Sequence, residues 1–265
     1  MTSEQFNILK KWYLEFADKV ISGNGKIGEL AKLKLDHSYN VAADSREIAT
    51  EMGWSPNDVI LAETAGLFHD VGRYPQLAKY CTFSDPDSIN HGECGYEAVT
   101  ENGVLLSLDE KDRQIVLDTI RYHNARIVPD FLDKDSLRFV NLVRDVDKLD
   151  IYRIISDAVK TRKIEEHPEI TLDIDINGSP TPEAIEQIRK KETVSYENIK
   201  SLADFGLTEL SWVYDINYPQ TLKRINDREI FQLIAGILPD TQEMREIISE
   251  VLNFMNKKLE LREGN

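Results

Sequence analysis

Apolar residues recur at three- and four-residue spacing along nearly the whole chain, which is the period of an amphipathic helix rather than a strand. Phe6, Leu9, Tyr13, Phe16 and Val20 share one face of a predicted helix over about residues 4–21, which Gly23, Gly25 and Gly28 break. A second helix is expected from about 28 to 52, stopping before Gly53. Ser55-Pro56-Asn57-Asp58 is a start signal: serine caps, proline takes the first helical position, and Asp58 stands where a capping box places its acid. That helix runs through Ala62, Ala65 and Phe68 toward Gly72. Residues 73–87, with Pro75 and Pro86, read as a loop. Ser88 is the expected cap of a helix reaching toward Gly103, and further helices are expected over about 109–124 and 135–162.

Past that point the texture changes. Thr171-Leu-Asp-Ile-Asp-Ile-Asn-Gly alternates strictly and ends in Asn-Gly, so a short strand or hairpin arm is possible there. Thr181-Pro182-Glu183 restarts a helix, and a final helix is expected from Asp240 to about Leu261. The pattern predicts an all-α fold. A helical core would cover 1–162 and a helical appendage 163–265, the two packed into one compact unit. Trp212, Tyr214, Phe231 and Ile237 would serve either as core or as an interface, so an oligomer is possible.

Composition narrows the function classes. With 41% hydrophobic and 30% charged residues the chain is ordinary for a globular protein. There is no apolar run long enough for a transmembrane helix, and the N-terminus lacks the basic and apolar regions of a signal peptide. Cys81 and Cys94 form no CxxC pattern and read as reduced thiols, which points to the cytoplasm. A net charge of −15 repels a phosphate backbone, so no nucleic-acid polymer is expected as a partner. A small anion could still bind where a cation dominates the local field.

The chemistry concentrates in the histidines. Of five, His37 lies on the face of Leu33, Val41 and Ile48, and His69 and Asp70 stand together just before Gly72. His91 opens one helix, while His123 closes another on the face of Val116, Thr119 and Ile120. Asp147 shares a stripe with Val140, Val143, Ile151 and Ile154. Neighbours in a helix point about 100° apart, so His69 and Asp70 can reach one ion only near a helix end, where Gly72 puts them. Burying four imidazoles and two carboxylates separately would cost several kcal/mol apiece. A shared cation resolves all six, and mixed imidazole and carboxylate donors suit Fe, Mn, Zn, Co or Ni. His167, beside Pro168, reads as a surface loop residue.

The ordered set resembles the HD-domain superfamily of metal-dependent phosphohydrolases. The matching stretches are His37-Ser-Tyr-Asn-Val-Ala, Leu67-Phe-His-Asp-Val-Gly-Arg-Tyr-Pro-Gln, Asn90-His-Gly-Glu, Tyr122-His-Asn and Asp145-Val-Asp-Lys-Leu-Asp, within roughly residues 28–160. The resemblance implies that His37, His69, Asp70 and Asp147 form a four-ligand site. It implies that His91 and His123 admit a second ion, with Asp70 bridging the two. Asp145 is the other candidate for the last ligand; family alignment and the apolar stripe both favour Asp147. The expected cofactor is one or two divalent transition ions. The expected reaction is hydrolysis of a small phosphate ester or nucleotide by a metal-activated hydroxide, with Asp70, Arg73 and Lys148 in catalytic roles. The 73–90 segment, with Tyr74, Gln76, Lys79 and Tyr80, would form a specificity wall. Two alternatives stand beside it: a mixed-valent di-iron oxygenase on the same ligands, and a non-catalytic regulatory module that keeps its metal for structure.

Overall fold

A computed structural model describes residues 1–23, 25–161 and 174–263. The chain is all-α: among the described residues there is no strand, only one isolated parallel bridge between Asp175 and Ser201. The alternating run therefore contributes a single bridge where it is described; its residues 171–173, and His167, lie outside the described residues. The chain divides into two compact units, Met1–Asp147 and Lys148–Asn265. The expected division at 162/163 also falls outside the described residues. No described helix is long and apolar enough to cross a membrane.

The first unit holds α1 (Ser3–Ile21), α2 (Lys26–Glu51), α3 (Pro56–Phe68), α4 (Arg73–Tyr80), α5 (His91–Glu101), α6 (Glu110–Tyr122) and the start of α7 (Lys134–Thr161). Their ends follow from the sequence. Thr2 and Gln5 form a reciprocal capping box on α1, Ser55 accepts from Asp58 N ahead of Pro56, and Asp109 caps α6. Two expectations change. Arg73–Tyr80 is a helix, because Pro75 falls in its first turn, where the missing N–H has no intrahelical partner to lose. Its buried face is Tyr74, Gln76 and Leu77. The cap of α5 is Asn90, which accepts from Glu93 N at 3.1 Å, not Ser88, whose hydroxyl is engaged by Ser84 O and Gln76.

Packing brings the helix ends together. Tyr13 of α1 is fully buried, and its hydroxyl donates to Ser38 beside His37 and meets Tyr74 beside Arg73. Thus α1 braces both α2 and α4. On α2 the inward face is His37, Val41 and Ile48; Leu33, expected on that face, is 54% exposed. The turn after α3 lies against α5 at van der Waals limits. A Cβ on Gly72 would stand 2.0 Å from His91 O and 2.5 Å from Gly95 N, both backbone atoms that cannot step aside. Gly72 is thus required by close approach rather than by its backbone angle.

The second unit contains the rest of α7 and α8 (Pro182–Arg189), α9 (Leu202–Ser211), α10 (Pro219–Asp227), α11 (Ile230–Ala235) and α12 (Gln242–Glu263). Tyr152 is its centre: its ring meets Trp212 and Phe231, and its hydroxyl donates to Glu209 O. Trp212 and Phe231 are core, while Tyr214 and Ile237 are half-buried. Asp204 is buried as a cap, accepting from Ser201 and Thr181.

Gly72→Ala should destabilise the protein by about 1–3 kcal/mol, the usual cost of overpacking, read as a lower urea midpoint with an unchanged slope. A midpoint equal to wild type would mean that the turn and α5 are not in this contact.

Candidate metal centre

Five chain segments deliver the six residues singled out by the sequence. His37 comes from the middle of α2. His69 is the C-cap of α3 and Asp70 lies in the turn behind it, so both stand where the helix ends. His91 is the first residue of α5, His123 the C-cap of α6, and Asp147 lies on α7. Arg144, one turn before Lys148, donates to the carbonyls of His123 (2.9 Å) and Ala125 and so fixes the end of α6. All four imidazoles and Asp70 are buried; the Asp147 side chain is 24% exposed.

The ligand atoms form two groups that share one carboxylate. His37 Nε2 lies 3.3 Å from His69 Nε2 and 3.1 Å from Asp147 Oδ1. Asp70 Oδ2 faces both imidazoles, at 3.7 Å from His37 and 3.6 Å from His69. On the other side His91 Nε2 lies 3.0 Å from His123 Nε2, and Asp70 Oδ1 is 3.2 and 3.6 Å from them. These atoms lie close enough together to serve as ligand groups. Asp147 rather than Asp145 is the acid that joins them.

The donor set fits a cation. His69 Nδ1 lies 2.7 Å from Gly66 O and His123 Nδ1 lies 2.9 Å from Ile120 O. A carbonyl only accepts, so each Nδ1 carries the proton and each Nε2 is a bare lone pair. His91 Nδ1 donates in the same way to the Asp85 carboxylate, at 2.7 and 2.9 Å. The Nε2 atoms of His91 and His123 face each other with Asp70 Oδ1 beside both. Protonating the rings is a poor remedy. Burial pushes His69 down to about 3, against the opposing pull of the Asp70 and Asp147 carboxylates, and it lowers His123 as well. Nitrogens about 2.0–2.1 Å from one ion stand about 2.8–3.4 Å apart for bond angles from about 90° to the tetrahedral value, and the two Nε2 pairs, at 3.3 and 3.0 Å, fall in that range.

The carboxylates are ionised. Burial works to raise Asp70, but Lys34, His69 and Arg73 hold it well below the ordinary carboxylate range. Burial likewise opposes the His37 hydrogen bond that holds Asp147 low.

Two cations flank Asp70. Lys34 Nζ donates to Oδ2 at 2.8 Å, and Arg73 Nε stands 3.4 Å from Oδ1 without a hydrogen bond. Both lie against the Phe83 ring, at 5.7 and 5.8 Å from its centroid. Arg73 is anchored through Nη1 to Gln76, Phe83 O and Asp85. Lys148 pairs with Asp215 at 2.8 Å. The sequence reading passed over Lys34 and Asp85. Lys34 stands one helical turn before His37, a spacing that could have revealed it. Asp85 is in an aperiodic connection, where no spacing signals a partner.

Comparison with known proteins agrees with this geometry. Residues 35–159 match the model of the HD domain family. A stretch of 80 residues, 29% of this chain, is 32% identical to the CRISPR system single-strand-specific deoxyribonuclease Cas10/Csm1 (subtype III-A) of Methanocaldococcus jannaschii. That match spans only 10% of the relative's length. No solved structure matches the chain. With the family match and the His/Asp cluster coinciding, residues 35–159 are an HD domain, the all-α unit of a superfamily of metal-dependent phosphohydrolases.

Proposed function

We propose that this domain hydrolyses a small phosphate ester or nucleotide at a two-ion centre. The observation that carries the reading is the shared carboxylate: one oxygen of Asp70 serves each imidazole pair, and a cation stands by each oxygen. His37, His69, Asp70 and Asp147 would hold one ion, and Asp70, His91 and His123 the other. When bound, such ions lower the pKa of a coordinated water and polarise phosphoryl oxygens.

The chain's own residues supply the rest. The Nε2 atoms of His69 and His123 and the ionised carboxylates bind without needing to lose a proton first. Lys34 and Arg73 are 22% and 16% exposed, so both are partly open to solvent beside Asp70. In this reading they neutralise and orient the phosphoryl group, Arg73 through the Nε and Nη2 edge that its anchoring leaves unspent. We give this role to Lys34 rather than Lys148, whose ammonium is held by Asp215. The relative's activity on single-stranded DNA makes a diester polymer the competing substrate. The net charge of −15 favours the small one.

Protein stripped with chelator and reloaded with Mn(II) should bind two ions and melt at a higher temperature, since the ion binds only the folded state. His37→Ala and His91→Ala should each remove one ion, and Asp70→Ala both. Finding no uptake would overturn the metal assignment.

Metal-loaded protein should release phosphate or a monoester from a panel of phosphomonoesters, nucleotides and small diesters, and Asp70→Ala should not. Lys34→Met and Arg73→Lys should each lower kcat/KM by about 10–100-fold, the worth of one charged hydrogen bond. Cleavage confined to single-stranded DNA would replace the substrate class. An iron-loaded protein with a mixed-valent EPR signal and no hydrolysis of any ester would replace the reaction by oxygenation.

A further inference from the structure

We infer that Asp85 is the positioning residue that decides whether the second ion is held, and that it does so by fixing the His91 imidazole. This rests on the two-ion reading above. It starts from a difference among the histidines. His69 and His123 each close a helix, so the carbonyl three residues back lies within reach of Nδ1 and orients the ring. That support is backbone, and it is present wherever the helix is present. His91 opens its helix, so it has no helical carbonyl three residues behind it. Its Nδ1 must find a side chain, and Asp85 is the one in place, at 2.7 and 2.9 Å.

Asp85 is itself pinned from several directions. Its oxygens accept from Arg73 Nη1 (3.0 Å), Gln76 Nε2 (2.8 Å) and Asn124 Nδ2 (3.2 Å), besides the His91 side chain. These donors come from α4 and from the residue after His123. The connection between α4 and α5 is thereby fastened to both neighbouring helices at this one carboxylate. The consequence is an asymmetry between the two halves of the centre. The carboxylate of Asp85 is spent on Arg73, Gln76, His91 and Asn124, of which only His91 is a ligand, so its loss should act on the centre through the His91, His123 and Asp70 half. An imidazole that is free to rotate or to move its proton to Nε2 no longer presents a lone pair there.

The substitution Asp85→Asn keeps the shape and replaces one acceptor oxygen by a donor facing other donors. Mn(II) uptake would be measured by equilibrium dialysis with elemental analysis, together with the EPR signature of a coupled Mn pair. We expect the second Mn(II) to bind about 10–100-fold more weakly, the coupled signal to vanish at limiting Mn(II), and the first ion to bind within about twofold of wild type. Uptake of that first ion also reports that the variant folds. In an His91→Ala background, Asp85→Asn should leave the remaining ion's affinity unchanged, because the residue it acts through is gone. The inference is overturned if Asp85→Asn holds two ions as tightly as wild type, if it weakens both ions equally, or if wild type binds only one. A wild type that takes up no Mn(II) overturns this inference together with the metal assignment beneath it.

Discussion

The fold of the first unit is organised around a buried, ionised carboxylate. Taking Asp70 out of water carries a desolvation cost of several kcal/mol, and the structure offsets it from two sides. Lys34 approaches one oxygen and Arg73 the other, while each oxygen also faces a pair of imidazoles. The arrangement gathers ligand atoms at close range: the Nε2 atoms of His91 and His123 are 3.0 Å apart beside Asp70 Oδ1. Positive charge entering such a cluster stabilises it. The architecture therefore creates the demand that a divalent ion meets, and the flanking cations meet part of it from outside.

Much of what surrounds this carboxylate is brought there by helices that end at one place. Phe68, Tyr122 and the start of α5 are helix termini, and His69, Asp70, His91 and His123 sit at or next to them. Bringing three termini together requires close backbone approach. Gly72 supplies it against His91 and Gly95, and Arg144 satisfies the carbonyls that the end of α6 leaves open. Tyr13, with its buried hydroxyl on Ser38 and against Tyr74, transmits the packing of α1 to the residues beside His37 and Arg73. Core packing and site geometry are the same set of contacts.

The legible parts of this were those that local rules control. Helical periodicity located α1, α2, α3, α6 and α7 to within a few residues, and the inward placement of His37 followed from Val41 and Ile48. The gathering of His69, Asp70, His91 and His123 was foreshadowed by their places at helix ends. Local rules failed where tertiary contacts decide. Pro75 marked 73–87 as a loop, yet the buried face of Tyr74, Gln76 and Leu77 makes a helix of its first part. Ser88 had the right chemistry for a cap but its hydroxyl is spent on Ser84 and Gln76, leaving the cap to Asn90. Asp85 could not be found by spacing at all, because the chain that carries it is irregular and its partners come from α4, α5 and beyond α6.

The two halves of the centre also differ in how their geometry is inherited. The ring orientations of His69 and His123 depend on backbone carbonyls, which any sequence forming those helices provides. His91 depends on a side chain in an irregular connection, and that same side chain steadies the Arg73 guanidinium. His69 on one side and His123 on the other are thus oriented by the fold, while His91 is oriented by a small polar network that single substitutions can alter. In the proposed two-ion centre that network would join a ligand of one ion to the cation beside Asp70, so metal occupancy and anion binding would be coupled through one carboxylate. A change there would move both together.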